Sequence, residues 1–135
     1  STRLHAPEFR VLVAEDERIN LIVATRLIAR LFPSAEILTA GDGDEVLQRF
    51  RESGPDLILM DVQMPGRDGY EATRQIRELE ATERHTPIIA LTAGVVEGER
   101  ERCLEAGMDD YLSKPVDQER LGELIRRWLD RPPGR

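Results

Sequence analysis

The sequence predicts a doubly wound α/β fold, with a five-stranded parallel sheet lying between two layers of helices. Three observations carry that expectation. Short apolar runs without polar alternation recur along the chain, as strands buried on both faces require. Helix-period stretches separate them, so neighbouring strands run parallel, and right-handed crossovers place helices on both faces. The length of 135 residues suits one domain that buries roughly 68% of its unfolded surface and needs no disulfide or metal staple.

The elements follow in order. Val11-Leu12-Val13-Ala14 is an unbroken apolar run that ends in Glu15-Asp16, a buried strand by its pattern. Ile19 to Phe32 is long and rich in helix formers, and Pro33 stops it. Ile37 to Ala40 is the second strand. Asp42 caps the next helix, which carries Val46, Leu47 and Phe50, with Glu45 as its capping-box partner. Leu57 to Met60 is the third strand and ends at Asp61. A Pro65-Gly66 turn precedes a helix from Tyr70 to Leu79. Ile88 to Leu91, opened by Pro87, is the fourth strand and ends at Thr92. Glu97 to Ala106 is a weak helix, highly charged with a thin apolar stripe. Tyr111-Leu112 is a short fifth strand before Lys114-Pro115. Asp117 caps the last helix, where Leu121, Leu124, Ile125, Trp128 and Leu129 form a strong stripe. Residues 1–9 read as a tail or linker, residues 10–130 as the domain, and residues 131–135 as a second tail.

Composition narrows the function classes. Acidic residues number 26 against 19 basic ones, a net charge of −7, which argues against direct nucleic-acid or anionic-membrane binding. No apolar run approaches the ~18 residues of a membrane span. The single cysteine, Cys103, leaves no intrachain disulfide and no cysteine-rich zinc site. The expected compartment is the reducing cytoplasm.

The chemistry sits at the strand ends: Glu15-Asp16, Asp61, Thr92 and Lys114. Open parallel sheets bind ligands at the carboxyl ends of their strands, where strand order reverses. The fold would bring these residues to one edge. Three carboxylates in one patch repel one another and need a cation or a proton. No histidine lies near, so an all-oxygen site suits Mg²⁺, or Mn²⁺, rather than zinc. A hydroxyl and an ammonium beside the metal fit phosphoryl oxygens. A carboxylate can be the nucleophile that takes up the phosphoryl group. Lys114 is the one lysine among 18 arginines, and a compact ammonium does what a planar guanidinium does not.

These residues stand in stretches that closely resemble the receiver (response-regulator) domains of two-component signalling. The stretches are Val11-Leu-Val-Ala-Glu-Asp-Glu, Met60-Asp-Val-Gln-Met-Pro-Gly-Arg-Asp-Gly-Tyr-Glu-Ala-Thr, Pro87-Ile-Ile-Ala-Leu-Thr-Ala and Gly107-Met-Asp-Asp-Tyr-Leu-Ser-Lys-Pro. Each alone is weak; the ordered set is very specific. The resemblance implies the flavodoxin-like strand order 2-1-3-4-5. It implies that Asp61 is the phosphoacceptor for a phosphohistidine donor. Asp16 would bind Mg²⁺ directly, Glu15 would assist through water, and Gln63 would offer its backbone carbonyl. Thr92 and Lys114 would hold phosphoryl oxygens. Tyr111 would turn inward as Thr92 moves, and the Lys114-Pro115 bond would be cis. The two-state element would be the weak fourth helix with the Tyr111 strand.

Glu15, Asn20 and the Gln-Met-Pro after Asp61 resemble the receivers of hybrid sensor histidine kinases, and imply a domain excised from such a kinase. The implied partners are a histidine kinase or a histidine phosphotransfer domain. A phosphorylation-dependent dimer through the fourth and fifth helices is a further reading. Gln63 and Gly94 occupy positions that tend to tune phosphate lifetime.

Other readings compete. A phosphatase of the haloacid-dehalogenase type wants an acid two residues after its nucleophile, and Gln63 stands there. No Walker loop and no dinucleotide fingerprint occurs. A pseudo-receiver that keeps the fold without phosphotransfer is the alternative function. Single residues have plain readings too. Thr92 can simply end a strand, Tyr111 and Trp128 can be core, and Asn20 can be solvated. Met60 and Met64 read as packing. Arg126, Arg127 and Arg131 read as a solvated helix end. His5 and His85 receive no role.

Overall fold

A computed structural model describes residues 9–94 and 97–130. Ten elements alternate through it. They are β1 (Arg10–Ala14), α1 (Arg18–Leu31), β2 (Glu36–Ala40), α2 (Gly43–Ser53) and β3 (Leu57–Asp61). Then come α3 (Gly69–Glu80), β4 (Ile88–Thr92), α4 (Glu99–Ala106), β5 (Asp110–Ser113) and α5 (Gln118–Leu129). All strand pairs are parallel, in the order β2-β1-β3-β4-β5. The chain therefore leaves β1 to one side, returns past it, and places the point of reversed order between β1 and β3.

Side chains of the central strands alternate between two cores, as the period of two demands. Val11, Val13, Leu57, Leu59, Ile89 and Leu91 face α1 and α5, where Ile28, Leu121, Leu124 and Ile125 meet them. Leu12, Ile58, Met60, Ile88 and Ala90 face the other layer, with Val46, Phe50, Ile76 and Cys103. Both cores are almost wholly aliphatic.

Local signals hold the helices where the sequence places them, with small differences. The side chains of Asp42, Asp68 and Asp117 cap α2, α3 and α5 by accepting the amides of Glu45, Glu71 and Arg120. Glu45 reaches back as a capping residue does, but it accepts the Gly41 amide at 2.7 Å rather than that of Asp42. Regular helix in α4 starts at Glu99, because Gly98 ahead of it is left-handed at φ +86°. Phe9, assigned to the tail by its sequence position, packs edge-on against Phe32 at 5.4 Å, and its carbonyl accepts the Glu36 amide. The other expected tail residues lie outside the described residues, with His5 and Arg131 among them.

Candidate functional site

Parallel register assembles the site. Ala14 pairs with Met60, Asp61 with Leu91, and Thr92 with Ser113. Glu15, Asp61, Thr92 and Lys114 therefore reach the same edge although they are far apart in sequence. A cleft of about 780 Å³ opens there. Glu15, Asp16, Asp61, Gln63, Tyr70, Ala93, Glu99, Arg102 and Lys114 are among the residues that line it.

Buried charge dominates its floor. Glu15 and Asp61 are 2% and 4% exposed. Lys114 Nζ stands 2.8 Å from Glu15 Oε1 and 3.0 Å from Asp61 Oδ2. The Gln63 amide donates to Asp61 Oδ1 at 3.0 Å, and the Glu17 amide to Glu15 Oε2 at 3.0 Å. Burial raises the Glu15 carboxyl above its ordinary 4.5, and Asp61 adds to the rise, against Lys114 and the Glu17 amide. Burial lowers the Lys114 ammonium, but Glu15 and Asp61 outweigh it and lift the group above 10.5. Carboxylate oxygens of Glu15, Asp16 and Asp61 lie within 4.8 Å of one another. Clustered hard oxygens, with three carboxylates against the single Lys114 ammonium, fit a hard divalent cation.

The structure does not bring Thr92 to these carboxylates. Thr92 is buried, and its hydroxyl donates to the Leu112 carbonyl at 3.4 Å. It instead shares a neighbouring groove of about 230 Å³ with Tyr111, Gly94 and Glu97. Tyr111 is half-buried against the core. The Lys114–Pro115 peptide is cis.

Comparison with known proteins decides the family. Residues 11–126 match the model of the response regulator receiver domain. The chain belongs to the receiver-domain family. Sensor kinases are among its relatives. The sensor protein GacS of Pseudomonas syringae pv. syringae is 38% identical over 121 residues, 88% of this chain and 13% of GacS. Hybrid signal transduction histidine kinase I of Dictyostelium discoideum is 46% identical over 123 residues, 86% of this chain and 7% of that kinase. The chain thus spans a small fraction of these relatives. The receiver domain of sensor histidine kinase PA1611 from Pseudomonas aeruginosa PAO1 superposes with TM-score 0.81 at 37% identity. That match covers 91% of this chain and 98% of the other, and the other has a magnesium ion coordinated in its active site cleft. The receiver domain of Saccharomyces cerevisiae Ssk1, co-crystallised with the histidine phosphotransfer protein Ypd1, gives TM-score 0.80 at 31% identity, covering 93% and 91%. This chain is a receiver domain of the two-component phosphorelay.

Sequence reasoning missed several residues of the receiver domain. Asp68 and Gly69 needed only the rule that a small polar residue precedes a helix. A Cβ on Gly69 would lie 2.3 Å from the Asp61 carbonyl oxygen, so only glycine lets α3 start against the end of β3. The Tyr70 hydroxyl donates to the Glu99 carboxylate, a contact across 29 residues with no local signal. His85, given no role, pairs with Asp109 at 2.6 Å. Arg77 binds Glu80, Asp109 and the carbonyls of Thr86 and Gly107. Trp128 packs against the core and Arg127 is largely exposed, as expected, and in addition the Trp128 indole donates to Asp110 at 3.1 Å and Arg127 stands 3.7 Å from the same carboxylate.

Proposed function

We propose that Asp61 accepts a phosphoryl group from a phosphohistidine donor and that the loaded domain controls a partner or passes the group on. The observation that carries this is the buried Asp61 carboxylate, held at 3.0 Å by Lys114 and at 3.0 Å by the Gln63 amide, at the open end of the sheet. One Asp61 oxygen is fixed on each donor, so the carboxylate is oriented before the donor arrives. The P–N bond to the donor imidazole breaks as an Asp61 oxygen forms the new P–O bond. The departing imidazole keeps the electron pair and takes up a proton. Lys114 offers its ammonium to phosphoryl oxygens, which stabilises charge where it develops. Glu15, Asp16, Asp61 and the Gln63 backbone carbonyl would hold Mg²⁺, with Mn²⁺ as a chemical substitute. Bound there, the cation supplies charge neutralisation for carboxylates and phosphoryl oxygens alike. Thr92 turns from Leu112 towards the phosphoryl group, and Tyr111 follows into the groove it already lines.

A histidine phosphotransfer domain or a histidine kinase is the proposed donor. The support is α1, which begins beside Asp16 and Glu17 at the cleft rim and exposes Ile19, Ile22 and Val23. A partner helix laid on that apolar face would bring its histidine to the cleft. Membership in a hybrid sensor kinase is the proposed context, supported by the relatives above. Among the described residues no helix is long and apolar enough to cross a membrane. We place the domain in the cytoplasm, on the support of its likeness to the receiver domains of sensor histidine kinases.

Intact mass tests the acceptor. With Mg²⁺ and acetyl phosphate the protein gains one phosphoryl group, and Asp61→Asn does not. Failure of the parent protein to load, together with failure to bind beryllofluoride in Mg²⁺, would favour the pseudo-receiver. Ile22→Asp is expected to slow transfer from a phosphotransfer domain about tenfold while acetyl phosphate loading is unchanged, as for loss of one interface anchor.

A further inference from the structure

The cleft has a second wall of different make. Tyr70, at the start of α3, is buried, and its hydroxyl bonds the Glu99 carboxylate on α4. Arg102, one turn along α4, lays its guanidinium over the same ring, Cζ 4.7 Å from the centroid. Glu99 and Arg102 therefore share one helix face, and that face lines the cleft. Among the described residues Arg102 makes no ion pair, and Lys114 is the other cation lining this cleft. Few side chains of α4 itself anchor it, although backbone bonds from Gly107 and Met108 close its C-terminal end. Its buried residues are Cys103 and Ala106, and both of its ends are left-handed glycines without side-chain caps.

We propose that this wall senses charge: a phosphoryl group in the cleft draws Arg102 inward, repels Glu99, and so releases α4 from Tyr70. The inference rests on Asp61 as the loading site. The phosphoryl group carries about −1.5 to −2 charge where the carboxylate carried a single one, and a helix bearing opposite charges on one face has different energies before and after. That difference is what a population shift requires. Burial and the Glu99 contact raise the Tyr70 phenol above its ordinary 10, so it stays a donor to Glu99 at neutral pH. This route to α4 is separate from the one through Thr92 and Tyr111.

The test uses beryllofluoride with Mg²⁺ as the phosphoryl mimic, titrated calorimetrically, with amide exchange of residues 99–106 followed in parallel. Arg102→Gln is expected to weaken binding about fivefold and Glu99→Gln to tighten it about fivefold, the scale of one partly exposed charge contact. Raising the ionic strength should shrink both effects. Tyr70→Phe should speed exchange of residues 99–106 before loading and leave little further change on loading. Structural damage would weaken binding in both charge variants, and that result would overturn the inference. So would affinities in both charge variants within about twofold of the parent, with the acceptor reading left intact. If the parent protein itself fails to bind, the acceptor reading falls, and this inference with it.

Discussion

At the residue scale, Lys114 joins two buried carboxylates that would otherwise repel. Its side chain is 21% exposed, whereas those of Glu15 and Asp61 are 1% and 6% exposed. Removing the cation leaves two buried anions unpaired, which costs more than the pair contributes. Lys114→Met is therefore expected to lower stability at neutral pH by about 2 kcal/mol, read from urea midpoints. Acidification should restore part of that loss. The Glu15 carboxyl is already raised above 4.5, so between 4.5 and its raised value the folded state binds a proton that the unfolded state releases. Stability from this group rises as the pH falls from neutral towards 4.5. Added Mg²⁺ should also rescue the variant, since a divalent cation supplies the missing charge. Equal loss at pH 5 and pH 7, with no response to Mg²⁺, would contradict this account.

At the element scale, α3 matters most because both of its ends serve the site or the sheet. Its first residue, Gly69, packs against the backbone of Asp61 and Val62. Gly69→Ala is expected to cost about 2 kcal/mol by overpacking and to slow loading with acetyl phosphate, because the displaced backbone carries Asp61, the proposed acceptor. Its far end holds Arg77, whose guanidinium joins Glu80 at 2.7 Å and Asp109 at 2.9 Å. Asp109 accepts the Ile88 amide, and Glu80 accepts the Thr86 amide. This network ties α3 to the starts of β4 and β5, on the edge opposite the cleft. Arg77→Met should cost about 3 kcal/mol, since buried Glu80 loses its close cation and keeps only Arg84, at 4.0 Å. Beryllofluoride affinity should change little, because the network does not line the cleft. A large affinity loss in that variant would show that the two ends of α3 are coupled.

At the scale of the whole molecule, the resolved proton affinities shift in one direction. Burial raises Cys103 above its ordinary 9.0 and Tyr70 above 10, and the paired carboxylates raise Lys114 above 10.5. In each case the folded state keeps a proton that the unfolded chain gives up. Their stabilising contributions are complete below those ordinary values and are lost as pH rises through the folded ones. Denaturant midpoints should therefore fall steadily from about pH 9 upwards. Cys103→Ala should flatten the first part of that fall, and Lys114→Met the last. A flat profile from pH 9 to 11 in the parent protein would contradict the burial of all three groups.

The sequence by itself determined the sheet, the helices and the cluster of carboxylates and lysine at the strand ends. Strands such as Leu57 to Met60 are buried on both faces, so their signal is a local apolar run. The ends of these runs carry Glu15, Asp16, Asp61, Thr92 and Lys114, and parallel pairing alone brings such ends to one edge. What only the tertiary structure decided are contacts between elements with no shared period. Tyr70 meeting Glu99, Arg102 stacking on Tyr70, Arg77 reaching Asp109 and Thr92 donating to Leu112 are of this kind. Local patterns report which face a residue takes, because backbone geometry repeats along the chain. Which side chain it meets depends on how two layers pack across tens of residues of intervening sequence, and no repeat in the chain encodes that.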